Sequence, residues 1–348
     1  MEIPVPKLLR IAPHALEHLG EYLKEEKIAK VALFWGKRVE ALFGETIRNS
    51  LAYSGVSVVF EKEVTTNSID DAFVISKEFT TSVDTILAIG GGKAIDFGKY
   101  IAFNKQLSLI SVPTLISNDA FASPSSSLLV DGERRSIKTV VPRGIIIDTE
   151  VIRSSDERYI YSGIGELFSK TTALHDWRLA ADTTGIKVND FAASITLNAV
   201  DTFSYYPRKT VRSIEYIGII TNSLLMTGIA MTIAGSSRPA SGAEHLISHA
   251  YDRLSGGENL HGIQVGVASY CVAFVQGTTL ERVSTDMVES GFYDFVVDHP
   301  LHKSLFLEAI ERATSVKENY YTVLSQEGAI AKLQAFVEYD PRMQKMVK

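Results

Sequence analysis

The chain of 348 residues has a single cysteine, Cys271. One thiol excludes an intramolecular disulfide framework and any multi-thiolate zinc site. Its setting in the apolar run VGVASYCVAFV predicts an inert, buried side chain. Long basic blocks are missing too, and a net charge of −6 gives no bias toward nucleic acid or an anionic membrane surface. The opening stretch MEIPVPKLLRIAPHALEHLGEYLKEE mixes charges with apolar residues and lacks a signal-peptide core. The least polar run, 216–235, approaches membrane-spanning length but carries Thr221, Asn222, Ser223, Thr227 and Thr232. A helix buried in a helical domain is expected there. Repeats and low-complexity segments are absent, and a cytoplasmic protein without nucleic-acid or membrane partners is expected.

What is present is ordinary globular composition, 45% hydrophobic and 22% charged, on a chain long enough for two domains. The first half alternates apolar β-branched runs with amphipathic stretches. Strands are predicted over 30–36, 56–62, 85–90 and 107–114, with helices through RVEALFGETIRNSLAYSG, SIDDAFVISKEFTTS and KAIDFGKYIAFN. This rhythm predicts a largely parallel sheet covered by helices. The stretch SSLLVDGERRSIKTVVPRGIIID reads instead as strands around an Asp131-Gly132 turn, a hairpin inserted in the sheet domain. From about residue 156 the periodicity becomes helical, in GELFSKTTALHDWRLAAD, VNDFAASITLNAVDTFSYY and the 216–235 run. The fold class is therefore α/β: a Rossmann-like domain over 1–155, then an all-helical domain over 156–348, with a site expected in the cleft between them.

Gly90, Gly91 and Gly92 follow a buried strand directly and open a helix. Backbone without Cβ can approach a phosphate closely, and a helix start favours an anion. The third position of a dinucleotide GxGxxG fingerprint is Ile95, and the P-loop spacing also fails. Phosphate binding is still expected here, with Lys93 and Asp96 following the glycines.

In the helical half, chemistry-capable residues sit beside glycines. Glu166 lies in SGIGELFSK, His245 and His249 in GAEHLISH one helical turn apart, and His261 in NLHGIQVGV. One carboxylate with two imidazoles is a three-ligand set suited to Zn²⁺ or a related divalent ion, leaving a position for substrate. His175, His299 and His302 lack such settings and are expected to be packing or surface residues.

The motifs GGGKAIDFGKYIA, SVPTLISNDAFASP, SGIGELFSKTTALHDW, SSRPASGAEHLISHA and LHGIQVGV occur in an order that resembles the glycerol-1-phosphate dehydrogenases. Their superfamily also holds glycerol dehydrogenase, iron-containing alcohol dehydrogenases and dehydroquinate synthase. The resemblance covers roughly residues 1–270 and thins toward the C-terminus. It implies that Gly90, Gly91, Gly92, Lys93 and Asp96 lie at the pyrophosphate turn of NAD or NADP, with Thr114 and Ser123 lining the cofactor cleft. It places Asp119 toward the substrate, Glu166, His245 and His261 as metal ligands, and His249 one turn beyond, near the substrate.

The sequence departs from that family at several points. Glu166 stands where the dehydrogenases usually have Asp, and in this resembles the dehydroquinate synthase branch. Asn118 and Ala120 replace the usual His and Gly, and Ile263 stands where Glu is frequent. Lys37 and Arg38 follow the first predicted strand with no carboxylate for a ribose 2′-hydroxyl, which leaves NAD and NADP both open. The resemblance implies a metal-dependent NAD(P)-linked dehydrogenase of glycerol-1-phosphate, dihydroxyacetone phosphate or a related small polyol. In that reading the ion is zinc, with nickel or iron as alternatives, Asp119 orients a substrate hydroxyl and His249 relays the proton. A sugar-phosphate cyclase and a non-catalytic nucleotide-binding protein are the alternatives, and a homo-oligomer is left open.

Overall fold

The computed structural model describes residues 5–78, 82–207 and 210–348, and the chain divides into two units, Met1–Asp156 and Glu157–Lys348. In chain order the first unit holds β1 (Leu8–Ala12), α1 (Leu19–Glu25), β2 (Lys30–Gly36), α2 (Val39–Tyr53), β3 (Ser57–Val64) and α3 (Ile69–Glu78). It continues with β4 (Thr85–Gly90), α4 (Gly92–Lys105), β5 (Ser108–Pro113), β6 (Ser125–Val130), β7 (Glu133–Lys138), β8 (Gly144–Asp148) and α5 (Thr149–Ser154). Six strands form one parallel sheet in the order β1-β8-β5-β4-β2-β3. Strands buried on both faces read as unbroken apolar runs, and TILAIG of β4 and GIIID of β8 are buried throughout. The chain runs from β2 outward to β3 and from β4 the other way to β5, so the strand order reverses between β2 and β4. In open α/β sheets that reversal opens the ligand crevice at the strands' carboxyl ends. Gly90 closes β4 there with φ of 146°, a backbone conformation that side chains rarely adopt.

The α/β reading and the helical second half are borne out. Two strands differ from expectation. β1 was not anticipated, because an edge strand with only Leu8 fully buried carries little apolar signal. The Asp131-Gly132 hairpin is present as β6 and β7, both turn residues having positive φ as its type requires. GIIID, however, leaves that hairpin and enters the main sheet as β8, pairing with β1 and β5. Of the helix expected through SIDDAFVISKEFTTS, residues 79–81 lie outside the described residues, as do residues 1–4 of the opening stretch.

The second unit begins with the 28-residue α6 (Glu157–Thr184), followed by α7 (Asp190–Ser204), α8 (Ile214–Ala234), α9 (Ala243–Ser255) and α10 (His261–Gln276). Shorter helices run from Leu280 to Met346. Among the described residues, α8 is the one helix long and apolar enough to cross a membrane. It buries Ile217, Ile220, Leu224 and Leu225 within the unit, and α7 packs along it.

The closest packing in this unit joins α6 to α10. A Cβ on Gly165 would lie 2.1 Å from the Gly262 carbonyl oxygen, and one on Gly262 would lie 1.9 Å from that of Ser162. A Cβ on Gly266 would meet Gly165 Cα at 2.8 Å. The two helices therefore touch backbone to backbone, and only hydrogen at these positions permits it. Gly165→Ala or Gly262→Ala should destabilise the metal-free protein by roughly 1–3 kcal/mol, the usual cost of overpacking. Urea denaturation measures it, and unchanged stability in both variants would contradict the contact.

Candidate active site

The α6–α10 contact sets Glu166, next to Gly165, against His261, next to Gly262. α6 also serves the starts of both neighbouring helices, whose first N–H groups have no partner within their own helix. Ser162 Oγ accepts from Gly262 N at 3.2 Å, and Asp176 Oδ2 accepts from Ala243 N at 2.7 Å. Asp176 Oδ1 accepts from Val323 N and from Gln276 Nε2 at 3.0 and 3.1 Å. Docked in this way, α9 brings His245 to the same place.

Glu166, His245 and His261 offer ligand atoms that all lie within 4.8 Å of one another. His245 Nε2 is 3.2 Å from Glu166 Oε1, and His261 Nε2 is 3.8 Å from Glu166 Oε2. The far side of each imidazole is held. His245 Nδ1 meets Glu244 Oε1 at 2.9 Å, and Glu244 is itself fixed by Thr172 Oγ1 and Gly242 N. His261 Nδ1 meets Ser248 Oγ at 3.0 Å, while that hydroxyl donates to Gln264 Oε1 at 2.7 Å. Gln264 Nε2 donates to Asp252 and to the Asn259 carbonyl, which fixes its amide orientation. A hydroxyl has one proton to give, so Ser248 accepts from His261 Nδ1–H. Both rings thus carry a proton on Nδ1 and aim Nε2 at Glu166.

Lys170, one turn along α6 and fully buried, donates to Glu166 Oε1 at 2.6 Å and to the Ala240 carbonyl at 3.3 Å. Glu166 Oε2 is buried without a hydrogen-bond partner. One carboxylate oxygen is therefore engaged by the protein and the other is left for a further cation. Burial would raise the Glu166 carboxyl, but Lys170, then His245 and His261, hold it well below the usual range. Burial would lower His245, yet Glu166 and Glu244 raise it to about 9.

His249 is half-buried, its ring stacked on His261 with centroids 5.4 Å apart and 6.3 Å from that of His245. The outlying histidines lie elsewhere. His175 lines a separate groove of about 460 Å³ with Arg178 and Thr278, His299 bonds the Phe295 carbonyl, and His302 faces Glu258.

In the first unit, Gly90, Gly91, Gly92 and exposed Lys93 form the strand-to-helix turn, and α4 starts without a side-chain cap. Thr114 is tied to this turn through its N–H to the Gly90 carbonyl at 3.0 Å. A Cβ on Gly92 would sit 3.6 Å from the Asn118 amide, so the Asn118–Asp119 loop borders the turn. Asp96 and Ser123 point into the fold instead. Asp96 pairs with buried Lys99 at 2.8 Å and accepts from Ser127 N at 3.0 Å, and Ser123 Oγ accepts from Lys99 at 3.2 Å. Lys99 also holds the Ala120 and Ser125 carbonyls, so this cluster shapes the loop. Sequence reasoning missed Lys99, Lys170 and Glu244. The four-residue spacing of Lys170 from Glu166 was the available signal for that pair.

Comparison with known proteins gives the family and the fold. Residues 10–155 match the iron-containing alcohol dehydrogenase family. Over 330 residues the chain is 32% identical to the glycerol-1-phosphate dehydrogenase [NAD(P)+] of Hyperthermus butylicus, with 94% of each chain covered. It is 31% identical over 329 residues to the enzyme of that name from Thermococcus kodakarensis, covering 89% of this chain and 91% of that one. Among solved structures it is similar to a probable glycerol dehydrogenase from Sinorhizobium meliloti, with a TM-score of 0.78 at 16% identity, covering 97% of this chain and 99% of that one. The glycerol dehydrogenase of Schizosaccharomyces pombe gives 0.77 at 19% identity, covering 99% and 92% respectively. At those identities the structures show the fold alone.

The Asp176 carboxyl generates a prediction. Burial first, and Glu244 second, push it up to about 7 against its three N–H donors. An unfolded Asp titrates near ~3.9, so between these values the folded protein holds the extra proton and stability falls as pH rises. Asp176→Asn removes this linkage but leaves one donor facing an amide NH₂. The variant should be less stable than the parent by roughly 1–3 kcal/mol at acidic pH, from one buried group left unsatisfied. That gap should narrow toward neutrality, and a gap widening with pH in urea denaturation would refute the assignment.

Proposed function

The chain belongs to the glycerol-1-phosphate dehydrogenase family, among the iron-containing alcohol dehydrogenases, and on that premise we propose that it interconverts dihydroxyacetone phosphate and glycerol-1-phosphate with NAD(P)H. The observation that carries the site is the convergence of two Nε2 atoms on Glu166, both rings fixed from behind and one carboxylate oxygen unpartnered. Two imidazoles, His245 having to give up its Nε2 proton to bind, and a carboxylate suit zinc, with a coordination position left for substrate. Nickel and iron are the alternatives that metal analysis would distinguish.

When bound, the divalent ion supplies Lewis acidity at the substrate's reacting oxygen and the nicotinamide supplies the hydride. The remaining work falls to the chain. Glu166, His245 and His261 hold the ion, and Glu244, Ser248 and Lys170 keep those three in place. Gly90, Gly91, Gly92 and Lys93 bind the pyrophosphate at the start of α4, with Thr114 at the cleft wall. Asp96 and Ser123 contribute through Lys99, by shaping the loop that presents Asp119. Asp119 orients a substrate hydroxyl. His249 exchanges the proton of the reacting oxygen through a ring nitrogen, a step suited to imidazole. Lys37 and Arg38 are exposed just beyond Gly36 of β2, where a cation accommodates a 2′-phosphate, so NADPH is accepted as well as NADH.

Zinc-replete protein should consume NADPH or NADH when given dihydroxyacetone phosphate, followed by the loss of nicotinamide absorbance. No consumption with either cofactor overturns the reaction, and phosphate release from a supplied sugar phosphate without net change in NADH would favour a cyclase. His245→Ala should lose bound zinc in elemental analysis, whereas His249→Ala should retain it and lose turnover by roughly 10²–10⁴-fold, the usual weight of a general acid–base group. Equal loss of zinc from both variants would refute the division of roles.

A further inference from the structure

Arg238 opens the turn that leads into α9, and it is 7% exposed. A guanidinium that deeply buried ordinarily has an acidic partner. This one donates a single hydrogen bond, from Nη1 to the Tyr321 carbonyl at 2.6 Å, and its Cζ lies 3.6 Å from the Tyr320 ring centroid. Lys317 Nζ lies 3.8 Å from the same centroid. Among the described residues no carboxylate pairs with either cation. Two like charges on one ring repel each other. Partial loss of water around its tip, and then Arg238, push the Lys317 ammonium down to about 8. Tyr320 is fixed by its hydroxyl, which donates to the Ser241 carbonyl at 2.6 Å.

What this arrangement lacks is an anion. Centres this near one centroid lie no more than about 8 Å apart, a gap that a phosphate can bridge with a hydrogen bond on each side. The unused N–H groups of Arg238 match phosphate geometry, and Lys317 on the solvent side adds a point charge. The segment is continuous with the metal cluster. Ala240 and Ser241 N–H groups both return to the Ser237 carbonyl, and the Ala240 carbonyl accepts from Lys170, which holds Glu166. We propose that Arg238, Lys317 and Tyr320 form a subsite for a phosphate monoester dianion, that of the substrate.

The assignment deepens the reading of a triose phosphate substrate and rests on it. A phosphate could also come from the cofactor, as the 2′-phosphate of NADPH, so the test separates the two. Lys317→Met, at an exposed position, and Arg238→Lys are assayed with dihydroxyacetone phosphate and with dihydroxyacetone, and with NADPH and NADH, alongside zinc content and melting temperature. Losing one charged hydrogen bond should raise KM for the phosphorylated substrate roughly tenfold to hundredfold more than KM for the unphosphorylated one. Equal changes for both substrates, or a change in melting temperature alone, would mean a structural cation pair and overturn the proposal. Weakening confined to NADPH would assign the pair to the cofactor and also overturn it. If the parent protein turns over no triose phosphate, the substrate reading fails while the subsite is still decided by calorimetry with inorganic phosphate. Phosphate binding that Lys317→Met weakens supports the subsite, and no binding refutes it.

Discussion

The backbone contact between α6 and α10 at Gly165, Gly262 and Gly266 is the constraint on which the second unit's chemistry depends. Helix axes ordinarily pass 8–10 Å apart, held off by side chains. Here three glycines remove the spacer, and the residues next to two of them, Glu166 and His261, become neighbours in space. The third group arrives because α6 reaches sideways and satisfies the N-terminus of α9 with Asp176. A single long helix thus supplies one member of the cluster directly and positions the other two.

Charge balance within this cluster is tight. Glu166, Glu244 and Asp176 are all at most 2% exposed, and Lys170 is the fully buried cation among them. With all three carboxyls ionised the set carries a formal −3 against +1, and a divalent ion would bring it to neutrality. Burying unbalanced charge is costly. The raised pKa of His245 expresses the negative charge of Glu166 and Glu244, and that of Asp176 expresses first its burial and then Glu244, each as a proton that the folded protein retains. Lys170 also bears on the Glu in place of Asp at position 166. By occupying Oε1 it keeps the longer side chain in one orientation and leaves Oε2 toward His261.

The parallel sheet was legible in the sequence because its inner strands are buried on both faces and read as apolar runs. β1 was not, since an edge strand alternates only weakly, and GIIID was assigned to a hairpin because local turn chemistry says nothing of a distant partner. Glu166, His245 and His261 stood out through the glycines beside them, which the structure explains at Gly165 and Gly262 as close helix contacts. Asp96 was ambiguous, since a carboxylate after a glycine turn serves a ligand or a fold equally well, and Lys99 turns it inward. The pairing of Arg238 with Lys317 across Tyr320 had no local signature, because it joins segments brought together only by tertiary packing.

The Glu166–His245 contact closes a chain separation of 79 residues, and α10 lies further along still. Contacts that distant form late in folding, after the intervening helices have paid their loop-closure entropy. No fragment short of α6 through α10 can assemble the cluster. A nascent chain therefore has no preformed trap for an adventitious ion until α10 has docked. An ion bound to the docked cluster would stabilise these contacts by mass action, so its occupancy would be linked to the closed arrangement of α6, α9 and α10.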